Sequence, residues 1–199
     1  MLPLDDKTLI EACQAGDELA FVALYNRYKG PVYVFCTKML LDRELAQDAM
    51  QETFLKVYEH RAELARTTAF RSWLFTIARN HCLNLLKQLQ REVELDEEAL
   101  PADALVEAPG EHMEKSEAVA WVNTFLGQLK PDYREVLVLR EYQNLSYEEI
   151  AVITRTTLAG VKARLFKARR RLAEVMLPLW SWDRSQPVAQ GRSTEPGAP

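Results

Sequence analysis

Residues 145–172 read LSYEEIAVITRTTLAGVKARLFKARRRL, and the fold turns on this stretch. Ser146 and Glu149 stand three apart, the spacing at which a hydroxyl and a carboxylate cap a helix start reciprocally. That helix ends near Thr154, where Arg155, Thr156 and Thr157 break it, and a second runs from about Leu158 to Met176. Val161, Leu165, Ala168 and Leu172 recur at helical spacing and make its inward stripe. Arg164, Lys167 and Arg171 line one flank; Lys162 and Arg169 line the other. At its start Ala159, Gly160 and Ala163 are small and permit close approach to a groove floor. A capped short helix, a tight turn and a basic second helix form the layout of a DNA-reading helix-turn-helix. An ordinary helical hairpin with a basic exterior is the competing reading.

Upstream, Val119, Val122, Phe125, Leu126 and Leu129 predict one helix, which Pro131 ends. Tyr133, Val136, Leu137 and the run Arg140 to Tyr142 predict the next, completing a domain over 117–177. Residues 92–116 read as an acidic linker: from Arg91 to Lys115 there are nine acids against two bases, with Pro101, Pro109 and Gly110 and no helical period. Residues 178–199, rich in Pro, Ser, Gln and Gly, read as a disordered tail, with Trp180 and Trp182 at its start available for packing or a partner.

Residues 5–91 form a first domain in which helical periodicity again dominates. Leu9 and Cys13, then Ala20, Phe21, Leu24 and Tyr28, predict two short helices separated near Gly16-Asp17. Gly30-Pro31 is expected to interrupt the pattern before another helix from Val32 to Leu41. From Arg43 to His60 the stripe Ala46, Met50, Phe54 and Val57 faces inward. The other side carries Asp48, Gln51, Glu52, Leu55 and Glu59, which suits either solvent or a basic partner helix. A helix capped by Thr67 or Thr68 is expected from Ala69 to near Arg91, with Leu74, Ile77, Ala78, His81, Leu85 and Leu89 as its core stripe. At 100° per residue Trp73, Asn80, Asn84, Lys87 and Arg91 share a neighbouring face. An indole for stacking, amides for base edges and cations for phosphate suit nucleic acid.

Composition narrows the rest. The chain has 199 residues, 25 Lys+Arg against 29 Asp+Glu, and a formal net charge of -4. The charges are segregated: 66–91 holds five bases and no acid, and 150–173 holds seven bases and no acid. A phosphate feels charge within a Debye length of about 8–10 Å, so the acidic total does not exclude nucleic acid. The longest apolar run, Leu19 to Tyr25, is seven residues, against roughly 20 for a membrane span, and the first residues lack a signal peptide's basic and apolar regions. Seven glycines without strand-turn-strand punctuation point to an all-α fold of two small helical domains. Three scattered cysteines make no disulfide framework, and Cys82 beside His81 lacks a second ligand pair, so neither metal nor cofactor is expected. Dispersed histidines and the absence of a phosphate-cradling loop or nucleophile motif argue against an enzyme.

Taken in series, these segments resemble the extracytoplasmic-function class of bacterial RNA polymerase sigma factors over nearly all of residues 5–177. Residues 48–58, DAMQETFLKVY, are similar to the segment that docks the polymerase β′ clamp; the resemblance assigns Asp48, Gln51, Glu52, Leu55 and Tyr58 to polymerase. Residues 70–80, FRSWLFTIARN, are similar to the minus-ten reader, assigning Arg66, Thr67, Thr68, Phe70, Arg71, Trp73, Arg79, Asn80, Asn84 and Lys87 to promoter DNA. Residues 145–151 followed by 161–169 are similar to the minus-thirty-five reader, assigning Arg155, Thr156, Thr157, Gly160, Lys162, Ala163, Arg164, Lys167 and Arg171. Where many members have Gly-Thr-Val, this chain has Ala159-Gly160-Val161, so the promoter sequence does not transfer. The resemblance implies a cytoplasmic promoter-specificity factor, monomeric when free and not inserted in membrane, that binds core polymerase through the β′ clamp and β flap. It further implies control by an anti-sigma factor. A freestanding helix-turn-helix regulator, dimeric on duplex sites, would leave the Trp73-Asn80 face unexplained.

Overall fold

The computed structural model describes residues 5–61, 70–95 and 115–183, with side chains left aside at 93–95, 115–118 and 175–183. Thr67 and Thr68, most of the acidic segment and residues 184–199 lie outside the described residues. Eight helices and no strand occupy the described residues: α1 Asp6–Gln14, α2 Glu18–Leu40, α3 Arg43–Glu59, α4 Phe70–Leu95, α5 Lys115–Gln128, α6 Pro131–Glu141, α7 Tyr147–Thr154 and α8 Leu158–Asp183. The all-α reading holds.

Aspartates open the first three helices. Asp5 accepts from the Thr8 amide at 2.8 Å, Asp17 from Leu19 at 2.8 Å, and Asp42 from Leu45 at 2.9 Å. Each satisfies a donor that has no partner within its helix. Gly16, at φ 93°, makes the left-handed step between α1 and α2 where the sequence placed a break.

The second expected break is absent. α2 runs unbroken through Gly30 and Pro31 for 23 residues. Proline in a helix interior costs about 3 kcal/mol, but Pro31 sits on the exposed side. Tyr28, Val32, Phe35, Cys36 and Met39 are buried on either side of it and hold the helix together. α8 likewise continues beyond Met176, through Pro178, to Asp183.

α2 packs against α1, α3 and α4, and α3 against α4; in the second half α6 packs on α7 and α8. The halves also meet, α4 lying against α7 and α2 against α6 and α5. That contact rotates the buried stripe of α4 from its expected position. Phe75 and Cys82 are fully buried beside Leu74 and Ala78, whereas Ile77, His81 and Leu85 are half-buried and Leu89 is exposed. An isolated amphipathic stripe has one neighbour; α4 has α2 beneath it and a helix on each flank. α6 shows the same effect more strongly, with Arg134 to Leu139 all buried because α2 covers one side and α8 the other.

Candidate nucleic-acid and polymerase interfaces

On α3 the inward side is Ala46, Ala49, Thr53, Phe54 and Val57. Asp48, Gln51, Glu52 and Leu55 are exposed on the opposite side, with Leu55 half open to solvent at 50%. Tyr58 is half-buried: Phe21 meets its ring edge-on at 5.0 Å, and the Arg61 guanidinium lies 4.0 Å from its centroid. The helix thus presents an acidic surface with one exposed leucine and a tyrosine held in a fixed pose.

Three sides of α4 are covered, by α2, α3 and α7. Trp73, Asn80, Asn84, Lys87 and Arg91 fall on the remaining side. Asn84, Lys87 and Arg91 are exposed, while Trp73 and Asn80 are half-buried, with Trp73 tilted 6.3 Å from Phe70. A partly anchored indole is a pre-ordered stacking surface that loses little rotamer freedom on binding. Three residues that the resemblance assigns to the minus-ten element lie off this face. Phe70 is buried, edge-on to Tyr28 at 5.4 Å, and acts as a core residue. Arg71 donates to the Gln143 carbonyl and Arg79 to Glu135, both across to the second half. Arg66, Thr67 and Thr68 fall outside the described residues.

The helix-turn-helix is built as its sequence implies. Ser146 Oγ accepts from the Glu149 amide at 3.1 Å, and Glu149 Oε2 accepts from the Ser146 amide at 2.7 Å. Arg155 turns the chain at φ 50°, ψ 46°, and the Thr156 amide closes back on the Ala151 carbonyl at 3.0 Å. Thr157 Oγ1 accepts from the Gly160 amide at 3.0 Å and caps α8. A Cβ at Gly160 would stand 2.5 Å from Thr156 Oγ1, so glycine at this position follows from the tightness of the turn. Arg155, Thr157, Lys162, Ala163, Lys167 and Arg171 are exposed. Arg164 points inward instead, to Glu135 at 3.2 Å and Asp132 at 3.4 Å. Lys167 and Arg171 line a cleft of about 410 Å³ with Lys130, Tyr133, Arg170 and Glu174.

The polar groups that join the halves escape a sequence reading. Glu135, fully buried, accepts from Arg79 Nε at 2.5 Å and Nη2 at 3.2 Å. Burial pushes its carboxyl up from the usual carboxylate range, and Arg79 pulls against that. Arg134 donates to the carbonyls of Met39 at 2.6 Å, Gly127 at 3.1 Å and Leu129 at 3.3 Å. Gln143 Nε2 donates to the Pro31 carbonyl at 3.0 Å, and Lys38 to Asn123 Oδ1 at 2.6 Å. The signal available in sequence is the charged pair Arg134-Glu135 abutting the apolar run 136–139, an arrangement that asks for buried partners.

Among the described residues no three metal-type ligands converge, and no helix is long and apolar enough to cross a membrane. All three cysteines are buried as free thiols, and a hydrogen bond with Cys36, with burial behind it, pushes the Cys82 thiol far up. Such thiols are poor nucleophiles.

Comparison with known proteins gives the same order of parts. The family description Sigma-70 region 2 matches residues 24–92, and Sigma-70, region 4 matches 120–172. The chain is 32% identical over 183 residues to the RNA polymerase sigma-H factor of Pseudomonas aeruginosa, covering 87% of this chain and 95% of that one. It is 32% identical over 186 residues to the ECF RNA polymerase sigma-E factor of Haemophilus influenzae, covering 88% and 97%. The fold is shared with the sigma factor RpoE of Bartonella quintana, solved in complex with the anti-sigma factor NepR, at TM-score 0.65 and 22% identity over 79% of this chain and 96% of that one.

Proposed function

This chain belongs to the extracytoplasmic-function class of RNA polymerase sigma factors, and on that footing we propose how its surfaces divide the task of directing core polymerase to promoters. The carrying observation is the uncovered side of α4, where Trp73, Asn80, Asn84, Lys87 and Arg91 remain after three other sides are packed. An unstacked promoter base fits there, with Trp73 as the platform, Asn80 and Asn84 as donors and acceptors, and Lys87 drawing in phosphate. Duplex DNA offers no free base face, so the surface favours the opened strand over the closed one. Extruding a base costs a few kcal/mol, and stacking at about 1–3 kcal/mol per base offsets much of that.

Asp48, Gln51, Glu52, Leu55 and Tyr58 on α3 form the polymerase contact, acid against a basic clamp helix. Lys162, Ala163, Lys167 and Arg171 on α8, with Arg155, Thr156 and Thr157 in the turn, meet the minus-thirty-five duplex in the major groove. The work is binding alone, with no covalent step, and takes place in the cytoplasm. Residues 5–91 and 117–177 act as the two DNA-reading units on either side of the acidic segment. An anti-sigma factor that covers these polymerase-facing and DNA-facing surfaces is the natural regulator; the Bartonella protein was solved in complex with an anti-sigma factor.

Run-off transcription with core polymerase tests the assignment. Trp73→Ala combined with Asn80→Ala is expected to lower initiation on duplex promoter about ten-fold or more, 1.4 kcal/mol per factor of ten. A template already mismatched open across the minus-ten region restores most of the loss. Trp73→Phe, which keeps the contact with Phe70, controls for packing. Unchanged initiation on duplex by the double variant would overturn the assignment.

A further inference from the structure

Glu135 is fully buried, yet two cations share its carboxylate. Arg79, from α4, binds through Nε at 2.5 Å and Nη2 at 3.2 Å; Arg164, from α8, binds through Nη1 at 3.2 Å. Arg79 also lies 3.5 Å from Asn80 Oδ1, at the edge of the open face of α4. Guanidinium groups bind carboxylate and phosphate in the same forked manner, so Glu135 offers Arg79 the kind of partner that a phosphate also offers. Beside a shared apolar core, the neighbouring cross-contacts are polar as well: Arg71 to the Gln143 carbonyl, Gln143 to the Pro31 carbonyl, Lys38 to Asn123 and Arg134 to the Met39 carbonyl. Water can replace each of these when the halves part, so the seam suits reversible opening.

Opening is required by length. Elements centred ten and thirty-five base pairs upstream lie about 85 Å apart along the duplex, at roughly 34–36 Å per turn of 10–10.5 base pairs. Side chains of α4 and α6 meet at hydrogen-bond distance. Both readers cannot engage their elements while that contact persists.

We propose that Glu135 is a latch that mimics DNA phosphate: it holds Arg79 in the polymerase-free chain, keeps the two reading halves together, and surrenders Arg79 to the promoter when they separate. On separation Glu135 retains Arg164, which with Asp132 belongs to its own half. The first half thereby gains one free cation beside the Trp73-Asn80 face. The proposal rests on the reading of that face as a single-strand site, and the two are tested separately.

The full-length protein without polymerase serves, with small-angle scattering for closure and a fluorescent twelve-nucleotide oligothymidine for single-strand binding. Glu135→Gln keeps shape and removes charge. Asp132→Asn removes a charge beside the same Arg164 without touching Arg79. Gln143→Ala loosens the seam through a different bond and remains informative if the buried amide of the Glu135→Gln variant disturbs folding. Glu135→Gln and Gln143→Ala are expected to enlarge the radius of gyration, and Asp132→Asn to leave it unchanged. Affinity for oligothymidine should rise about ten-fold if the closed chain is competent about a tenth of the time. For Glu135→Gln the salt slope should steepen by about 0.7, one phosphate on a single strand. An unchanged radius of gyration in both opening variants would overturn the latch. An enlarged radius with unchanged oligothymidine affinity and slope would instead overturn the single-strand role of Arg79 that the proposal depends on.

Discussion

Replacing Arg134 by methionine isolates the polar tie between α2, α5 and α6. Its guanidinium supplies three carbonyls, those of Met39 near the end of α2 and of Gly127 and Leu129 at the end of α5. Helix ends leave carbonyls without intrahelical donors, and a cation there is favourable. Gly127 is exposed and can turn to water, whereas Met39 and Leu129 are buried. Two abandoned buried acceptors cost about 1–3 kcal/mol each. Against this stands the relief of no longer burying a guanidinium: burial holds its pKa down, and Nε has no partner. The expected net loss is about 2–4 kcal/mol, a large share of the roughly 5–15 kcal/mol of an ordinary domain. Urea titration followed by circular dichroism and by tryptophan fluorescence reads it as a lower midpoint. Arg134→Lys should recover only part, because one ammonium nitrogen replaces two guanidinium nitrogens that reach separate carbonyls. A change below about 0.5 kcal/mol, or a gain, would show that burying the cation costs as much as its three bonds return, and would refute the reasoning.

Other outcomes follow from single contacts. Ser146→Ala removes one arm of the capping box and should destabilise by about 1 kcal/mol in the same titration, with promoter binding by the holoenzyme weakened in step. Leu55→Asp, at a half-exposed position, should leave the urea midpoint unchanged while weakening binding to core polymerase about ten-fold or more in a competition assay. His81 is held below its ordinary 6.5, by burial first and Lys56 next, with Glu52 opposing. Its unfolded form therefore binds more protons, so its contribution is intact above pH 6.5 and is lost as pH falls below that value. Urea midpoints from pH 5.5 to 7.5 should show that decline in the parent protein and a shallower one in His81→Gln.

What sequence reveals are features governed by nearest neighbours along the chain. The capping box at Ser146, the α3 stripe and the turn at Gly16 each depend on residues within one or two helical turns. Pro31 defeats a local reading because a proline's cost has to be weighed against the buried stripe on both sides of it, from Tyr28 to Met39. The α4 stripe is displaced because its centre depends on which helices flank it, and α7 follows more than 50 residues after α4 ends. Arg79 and Glu135 are 56 positions apart, and no periodicity couples them. The open face of α4 is legible because it is the face left over, and Trp, Asn and Lys at one angular position rarely serve a core.

Charge pairing explains how a chain of net charge -4 keeps a basic helix such as α8. Four of the seven cations between residues 150 and 173 meet acids: Arg164 with Asp132 and Glu135, Arg169 with Glu141, and Arg170 and Arg171 with Glu174. The exposed pairs are weak, each worth about 0–1 kcal/mol or less, and a phosphate displaces such an acid at little cost. The pair at Glu135 differs because the acid is buried, and releasing it unpaired would leave a charge in a poor dielectric. The acids thus sort by burial into exposed ones that a phosphate can displace and one, Glu135, that keeps Arg164. Under the proposed division of surfaces, specificity then needs no net excess of positive charge, since the exposed acids give way to phosphate at little cost.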